Sequence, residues 1–307
     1  MRILVIINAS SGKGHGNNII PVIEERFGSS LFAIRQTRSS SEAEDIARKA
    51  CLECVDIIAT VGGDGTVNGV LNGIIASDVS LGIIPVGVAN DLALHLGIPQ
   101  NIEKACDIIF ARNERKVDVI CANGRHYLTC VGLGLPYHVL AIAEFIKRRK
   151  IAKRFFAHFG DCSVYIIGLP SAFVRALLRR NHVRIHSPHF SINANALSLL
   201  VSNLPVLGGK YHILPAAVND DGLGDVFLIK NSGHPLRLIT TIFKIFKGSH
   251  LDMPDVIAFK NRGVTVECSK PTPFFGDGEI APPDSRFEIS IKRRAVRVIV
   301  PIEGRRD

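Results

Sequence analysis

Four short apolar runs near the start of the chain, at residues 2–8, 31–35, 55–61 and 81–85, each lead through a polar loop into a helical pattern. The helical patterns follow at 17–27, at 40–53 (opening on serine caps with early acids), from Thr66, and near 91–96. A strand that returns beside its predecessor in the same direction needs a crossover of a dozen or more residues. A helix lying on the sheet is the connection that buries both elements. The alternation predicts β-α-β units around a mostly parallel sheet, an α/β fold.

The pattern then changes. Two helical stretches, about 138–158 and 162–180, precede β-type runs at 183–186, 196–202, 226–229, 264–267, 287–291 and 296–300. Glycine, proline, asparagine and aspartate separate these runs, as in antiparallel sandwiches and barrels. A domain boundary is expected near Arg125. Residues 1–125 form the α/β domain and 126–307 a mainly antiparallel β-sandwich domain with inserted helices, its last run free to return to the first domain.

A chain of 307 residues that is 47% hydrophobic and 21% charged has the apolar content for a packed core and is not a disordered one. No stretch reaches the roughly 18 uninterrupted apolar residues of a spanning helix. The run at 3–7 is shorter than the ~7–15 residues of a secretory h-region, so a soluble, cytoplasmic chain is expected. Seven cysteines, an odd number spread from Cys51 to Cys268, make no disulfide framework. They read as buried thiols; Cys51 and Cys54 form the one C-x-x-C, with no second pair to complete a zinc site. His212 and His250 read as surface or packing residues.

Charge is uneven. Residues 1–130 carry 12 basic and 14 acidic side chains, residues 131–307 carry 25 and 14. The second half therefore suits an anionic partner. Its densest cluster, Lys147, Arg148, Arg149, Lys150, Lys153 and Arg154, interleaves with Phe145, Ile146, Ile151, Phe155, Phe156 and Phe159. This is either a solvated helix face or a helix lying at an anionic membrane surface. Nucleic acid is not expected, because tryptophan is absent, aromatics are 7%, and no recognition motif occurs.

The strongest chemical signal is Thr60-Val61-Gly62-Gly63-Asp64-Gly65-Thr66-Val67-Asn68. Glycines let an anionic ligand approach the backbone, and a helix N-terminus offers N–H groups and a positive dipole end. Asp64 adds a carboxylate for Mg²⁺ or its waters. The segment is a phosphate site, though no Walker A or dinucleotide fingerprint is present. Asn8-Ala9-Ser10-Ser11-Gly12-Lys13-Gly14 and Pro85-Val86-Gly87-Val88-Ala89-Asn90-Asp91 follow two other strands of the same sheet. Three such loops beyond the carboxyl ends of strands argue for a nucleotide there. In the second half, Asn219-Asp220-Asp221-Gly222-Leu223-Gly224-Asp225 and Phe275-Gly276-Asp277-Gly278-Glu279 are acidic turns. Either could be a plain turn; the first could also cage a hard cation.

Taken in order, Asn8–Gly12, Gly62–Asn68, Gly87–Asp91, Lys116-Val117-Asp118-Val119, Asp221–Asp225 and Asp277–Glu279 resemble the diacylglycerol kinase catalytic-domain family of lipid kinases over about residues 3–300. The resemblance implies a nucleotide-binding α/β domain, a β-sandwich domain, and ATP and lipid meeting in the cleft between them. It assigns ATP contacts to Asn8, Ser11, Gly12, Thr37, Gly62, Gly63, Asp64, Gly65, Thr66, Val67, Asn68, Val88 and Asn90. Asp64, Asp91 and Asp118 would anchor a Mg²⁺ and water network. Asp221 with the carbonyls of Val218 and Leu223 would hold a structural Mg²⁺, and Glu279 would be the general base, with Asp64 the second catalytic carboxylate. ATP and Mg²⁺ are the implied cofactors and a lipid the implied substrate, with peripheral attachment to an anionic membrane and oligomeric state left open. Ala9 and Val88 depart from the family pattern, where a proline and a threonine are usual. Ala9 loosens its loop and Val88 removes a hydroxyl worth about 1 kcal/mol as a hydrogen bond. Two other readings fit parts of the chain: a soluble NAD kinase-type enzyme, and a non-catalytic nucleotide sensor at the membrane surface.

Overall fold

The computed structural model describes residues 1–9, 16–148, 163–179 and 181–302. The core of the first part is a parallel sheet built from β1 (Ile3–Asn8), β2 (Leu31–Thr37), β3 (Ile57–Gly62) and β4 (Ser80–Pro85), in the order β4-β3-β1-β2. β3 and β4 are buried along their whole lengths, which is why they read as unbroken apolar runs rather than alternating ones. The crossovers are α1 (Gly16–Phe27), α2 (Ser40–Ala50) and α3 (Asp64–Ile74). Helix α2 starts where its sequence says: Ser39 accepts the Glu42 N–H at 3.2 Å, while the Glu42 carboxylate returns to the Arg38 N–H at 2.7 Å, a reciprocal cap. The spacing predicts that α3 starts at Thr66, but it starts two residues earlier, with Gly63 as its N-cap.

After α4 (Asp91–His95) and α5 (Ile102–Ala111), the chain forms β5 (Glu114–Ala122), β6 (Arg125–Tyr127) and β7 (Cys130–Gly134), then α6 (Leu135–Arg148) and α7 (Ser163–Leu178). β8 (Asn181–Ser187) and β9 (Phe190–Ser202) follow, then the short pair β10 (Val206–Leu207) and β11 (Tyr211–His212). β12 (Gly224–Lys230), α8 (Pro235–Phe246), β13 (Val256–Asn261), β14 (Gly263–Gly276) and β15 (Glu279–Ile299) complete the chain. The pairings among β5–β9 and β12–β15 are antiparallel. β8 alternates buried and exposed positions from Asn181 to Ile185, the signature of a sheet with one wet face.

The runs at 287–291 and 296–300 belong to one 21-residue strand, β15. Its register against β5 breaks between Lys292 and Val296, around Arg294 at φ +49°. The near half pairs with β14; beyond the break, Val298 pairs in parallel with Leu81 of β4. One continuous 13-stranded sheet results. Its main apolar core runs from Ile3 to Val300 and includes Leu197, Phe227 and Leu238. A second cluster, including Ile120, Val201 and Phe274, fills the other antiparallel face.

Helices α5 and α8 have no counterpart in the sequence reading. Helix α8 is rich in Ile, Thr and Phe, residues that favour strands, and only Pro235 at its first position marks the start. His250 packs as read, fully buried with Nε2 2.8 Å from the Ile213 carbonyl, while His212 is exposed. All six described cysteines are free; Cys106, Cys130 and Cys268 are buried, but Cys54 is exposed and Cys51 half-buried. The buried-thiol reading therefore fails for the C-x-x-C pair, which sits in the turn after α2. The basic cluster from Arg149 to Arg154, with Ile151, Phe155, Phe156 and Phe159, lies outside the described residues, as do the side chains of Lys147 and Arg148.

Candidate functional site

The parallel registers set Asn8 beside Thr37, Ile7 beside Val61 and Gly62 beside Pro85. The loops after β1–β4 therefore leave the sheet together at its carboxyl edge, where α/β folds hold ligands. Asn8 Nδ2 donates to Thr66 Oγ1 at 3.0 Å, tying the end of β1 to α3. A Cβ on Gly62 would lie 2.4 Å from that hydroxyl, and one on Gly87 only 2.4 Å from the Gly63 Cα. Two glycine loops thus pack backbone to backbone, an approach closed to any residue with a side chain. Asn90, at φ +50°, closes the second loop by accepting from the Gly87 N–H (3.0 Å) and donating to the Gly87 carbonyl (2.9 Å). Gly63 offers α3 no side-chain cap, so the helix presents N–H groups and its positive end to the loop, the physical makings of an anion site.

The β14–β15 hairpin reaches this edge from the other half of the molecule. Its turn residues Asp277 and Gly278 have φ of +46° and +78°, as a two-residue hairpin of the right twist requires. Glu279 follows, accepting from Ser40 Oγ at 2.9 Å, and a Cβ on Gly65 would sit 2.8 Å from Glu279 Oε1. Burial raises the Glu279 pKa, Ser40 and Arg125 oppose it, and Asp277 and Glu144 add to it. Half-buried Asp64 is pushed up to about 7, by burial first and then by Asp91 and Asp277, with the backbone N–H groups of Leu92 and Asn90 opposing. Asp91 is raised mainly by burial, although its oxygens accept from Gly208 and Gly209 at 2.8 and 2.7 Å.

Asp277 is buried and accepts from the N–H groups of Leu128 (2.8 Å), Thr129 (2.8 Å) and Cys130 (3.3 Å), from Thr129 Oγ1 (2.7 Å) and from Asn68 Nδ2 (2.9 Å). That network fixes the turn from which Glu279 projects. Sequence reasoning gave neither Ser40 nor Asp277 a role of its own. Ser40 appeared only as part of a helix cap and Asp277 only as a turn residue, and their partners are 239 and up to 209 positions away.

The structure spreads the remaining expected site residues unevenly. Val88 is exposed and lines the cavity described below. Thr37 spends its hydroxyl on the Ser39 carbonyl at 2.8 Å and on Glu42. Val67 is buried in the main core, and Asn68 bridges Asp277 and the His126 carbonyl. These three act on the frame of the site through the contacts given. Ser11 and Gly12 lie outside the described residues. Asp118 does not join the carboxylate cluster: fully buried, it accepts from the Gly222 N–H (2.6 Å) and the Arg294 N–H (2.7 Å), pinning the acidic turn and the β15 irregularity to β5.

The two expected metal sites differ in how well their residues suit a cation. Beyond burial, Asp91 raises the Asp64 pKa and Asp277 raises both, with no cation among the causes, a donor set that a hard divalent ion would satisfy. The Asp221 turn does not fit the structural Mg²⁺ read from the sequence. Asp221 Oδ2 already holds the Lys260 ammonium at 3.0 Å, and its Oδ1 accepts the Leu223 N–H at 2.9 Å. Lys260 also stands 3.5 Å from Asp225, which burial still pushes up to about 6 against the lysine. The positive charge there is supplied by the chain.

Next to the glycine loops a cavity of about 540 Å³ opens. One end carries Asp64, Asp91, Asp277 and Glu279. The remaining wall is largely apolar, with Leu135, Leu140 and Phe227 from the body of the fold and Ile242, Ile245 and Phe246 from α8. An apolar channel ending in carboxylates beside an anion site is suited to an elongated apolar molecule with a polar, hydroxyl-bearing head.

Comparison with known proteins adds an independent line. Residues 2–122 match the family model of the diacylglycerol kinase catalytic domain, and residues 165–300 that of the YegS C-terminal NAD kinase beta sandwich-like domain. A diacylglycerol kinase of Bacillus subtilis (strain 168) is 27% identical over 290 residues, covering 91% of this chain and 89% of its own length. A protein of Enterobacter sp. (strain 638) named "Probable lipid kinase YegS-like" is 26% identical, covering 97% and 95%. The crystal structure of a diacylglycerol kinase from Bacillus anthracis (strain Sterne) superposes with a TM-score of 0.74 at 25% identity, covering 98% of this chain and 97% of that one.

Proposed function

The chain belongs to the diacylglycerol kinase catalytic-domain family of lipid kinases, phosphotransferases with an alcohol group as acceptor, and from that premise we propose that it transfers the γ-phosphate of ATP to a hydroxyl of a diacylglycerol-like or sphingoid lipid. The observation that carries this reading is the apolar cavity whose carboxylate end adjoins the packed glycine loops. Acyl chains suit its wall, and the hydroxyl then lies at Glu279.

Phosphoryl transfer depends on positioning and charge neutralisation more than on covalent chemistry by the protein. The N-terminus of α3 receives the phosphates. Magnesium arriving with ATP supplies charge neutralisation at the transferred group, and Asp64 and Asp91 would hold it. Glu279 takes the hydroxyl proton as the lipid oxygen bonds to the γ-phosphorus and ADP departs. Its raised pKa suits a general base working near neutrality, and Ser40 Oγ holds the carboxylate in one orientation. Asp277, locked by its buried donors, keeps the turn in register.

The test is transfer of radiolabelled phosphate from ATP with Mg²⁺ to a panel of lipids in mixed micelles. A labelled lipid that disappears with Glu279→Gln, while ATP binding persists, is the expected result. Undiminished transfer by that variant removes Glu279 from the mechanism; no labelled lipid despite ATP binding overturns the kinase reading in favour of a nucleotide sensor.

A further inference from the structure

Helix α8 is apolar on two sides. Ile242, Ile245 and Phe246 line the cavity. Leu236, 81% exposed, Ile239, and Phe243, 68% exposed, form a second stripe at spacings of three and four residues that nothing covers among the described residues. Only Leu238 and Thr241 of the helix are buried. Leaving a leucine and a phenylalanine so exposed is costly in water, and contiguous exposed apolar surface marks a contact site.

The charge around the stripe narrows the partner. From His234 to His250 the sequence contains Arg237, Lys244 and Lys247 and no acid. Arg237 is spent on Asp255 at 2.6 Å. Lys244 and Lys247, in the last turn and just beyond it, make no ion pair among the described residues, and Lys210 stands at the cavity wall. Apolar side chains flanked by lysines, on a helix lacking acids, complement an anionic bilayer surface.

We propose that α8 is the membrane-docking element of this protein, seating Leu236, Ile239 and Phe243 in the headgroup region of an anionic bilayer with Lys244 and Lys247 on its phosphates. The opposite side of the same helix is cavity wall, so a lipid passes from the bilayer into the cavity along α8 without crossing water. This assignment rests on the lipid-kinase reading for the cavity's occupant; the docking itself stands on the exposed stripe and its charge.

Flotation with vesicles of phosphatidylglycerol and phosphatidylcholine, against phosphatidylcholine alone, tests it. The wild type floats with the anionic vesicles. Leu236→Gln with Phe243→Gln, both at exposed positions, lowers partition at least about tenfold. Lys244→Gln with Lys247→Gln lowers it about 25-fold, roughly fivefold per lysine, and only on anionic vesicles. Both variants keep wild-type transfer to a short-chain lipid dispersed in micelles. Wild-type partition by the apolar variant overturns the proposal, as does failure of the wild type to float. A dimer that the apolar variant dissociates without changing flotation overturns it too, assigning the stripe to a second copy of the chain. Flotation with the expected variant losses but no phosphate transfer to any lipid refutes the kinase reading and leaves the docking surface standing.

Discussion

Replacing Gly65 with alanine would separate the catalytic geometry of this site from its stability. The new Cβ would stand 2.8 Å from Glu279 Oε1, about 0.6 Å inside ordinary contact, with its next neighbours at 3.5 and 3.7 Å in the same side chain. Only the flexible end of one glutamate is in the way, and alanine gains up to about 1 kcal/mol over glycine within a helix. The fold should therefore melt at the wild-type temperature or slightly above. The carboxylate has to move, and moving it breaks the 2.9 Å hydrogen bond from Ser40. A displacement approaching 1 Å at a reacting group can cost about a hundredfold, so a tenfold to hundredfold loss in kcat at saturating ATP is expected. The assay is micellar phosphate transfer, with calorimetric melting and ATP titration on the same preparations. The decisive comparison is a double-mutant cycle: in a Glu279→Gln background, Gly65→Ala should lower the residual turnover no further, because coupled residues are non-additive. Wild-type turnover by Gly65→Ala, or an equal further loss in that background, refutes the claim that Gly65 acts through Glu279.

Four other outcomes are expected. Ser40→Ala removes a donor that favours the ionised Glu279; since the base works when ionised, the acid limb of the kcat/KM profile should move to higher pH, and an unmoved limb would deny the Ser40 contact. Lys260→Met leaves Asp221 and Asp225 without their cation and should cost about 1–2 kcal/mol in urea denaturation, less than a fully buried pair because the lysine is part-exposed. Burial pushes the Asp225 carboxyl up to about 6, above the ordinary carboxylate range, so the fold loses stability as pH rises through about 6 and the Lys260→Met deficit is larger at pH 8 than at pH 5. A chelator should leave wild-type melting unchanged, and a fall would restore the metal to the Asp221 turn. Asp277→Asn turns an amide N–H₂ toward buried N–H donors and should lose about 3 kcal/mol, read as a lower urea midpoint; an unchanged midpoint would mean the turn does not depend on that carboxylate.

Much of the frame was legible because it is local. The buried strands β1, β3 and β4 are continuous apolar runs, the Ser39–Glu42 cap announces α2, and glycines at 62, 63 and 87 announce loops that must approach closely. Legibility failed where the meaning of a residue is set by a distant partner. Asp118 and Asp221 looked like cation ligands, yet the Gly222 and Arg294 N–H groups satisfy the first and Lys260 the second. Helix α8 was hidden by its strand-like composition, and its two-sided apolar character appears only once the cavity is seen on one side and open surface on the other.

The sequence by itself therefore determined the parallel α/β order, the antiparallel second half, the glycine loops and the presence of Glu279 after a tight turn, since hydrophobic period and turn chemistry act over a few residues. Tertiary structure alone decided that β15 would join both halves into one sheet and that Glu279 would land on Ser40 and Gly65. It also decided that a lysine would occupy the Asp221 turn. Those outcomes depend on which distant groups meet, and burial then sets the price of every charge left there without a partner.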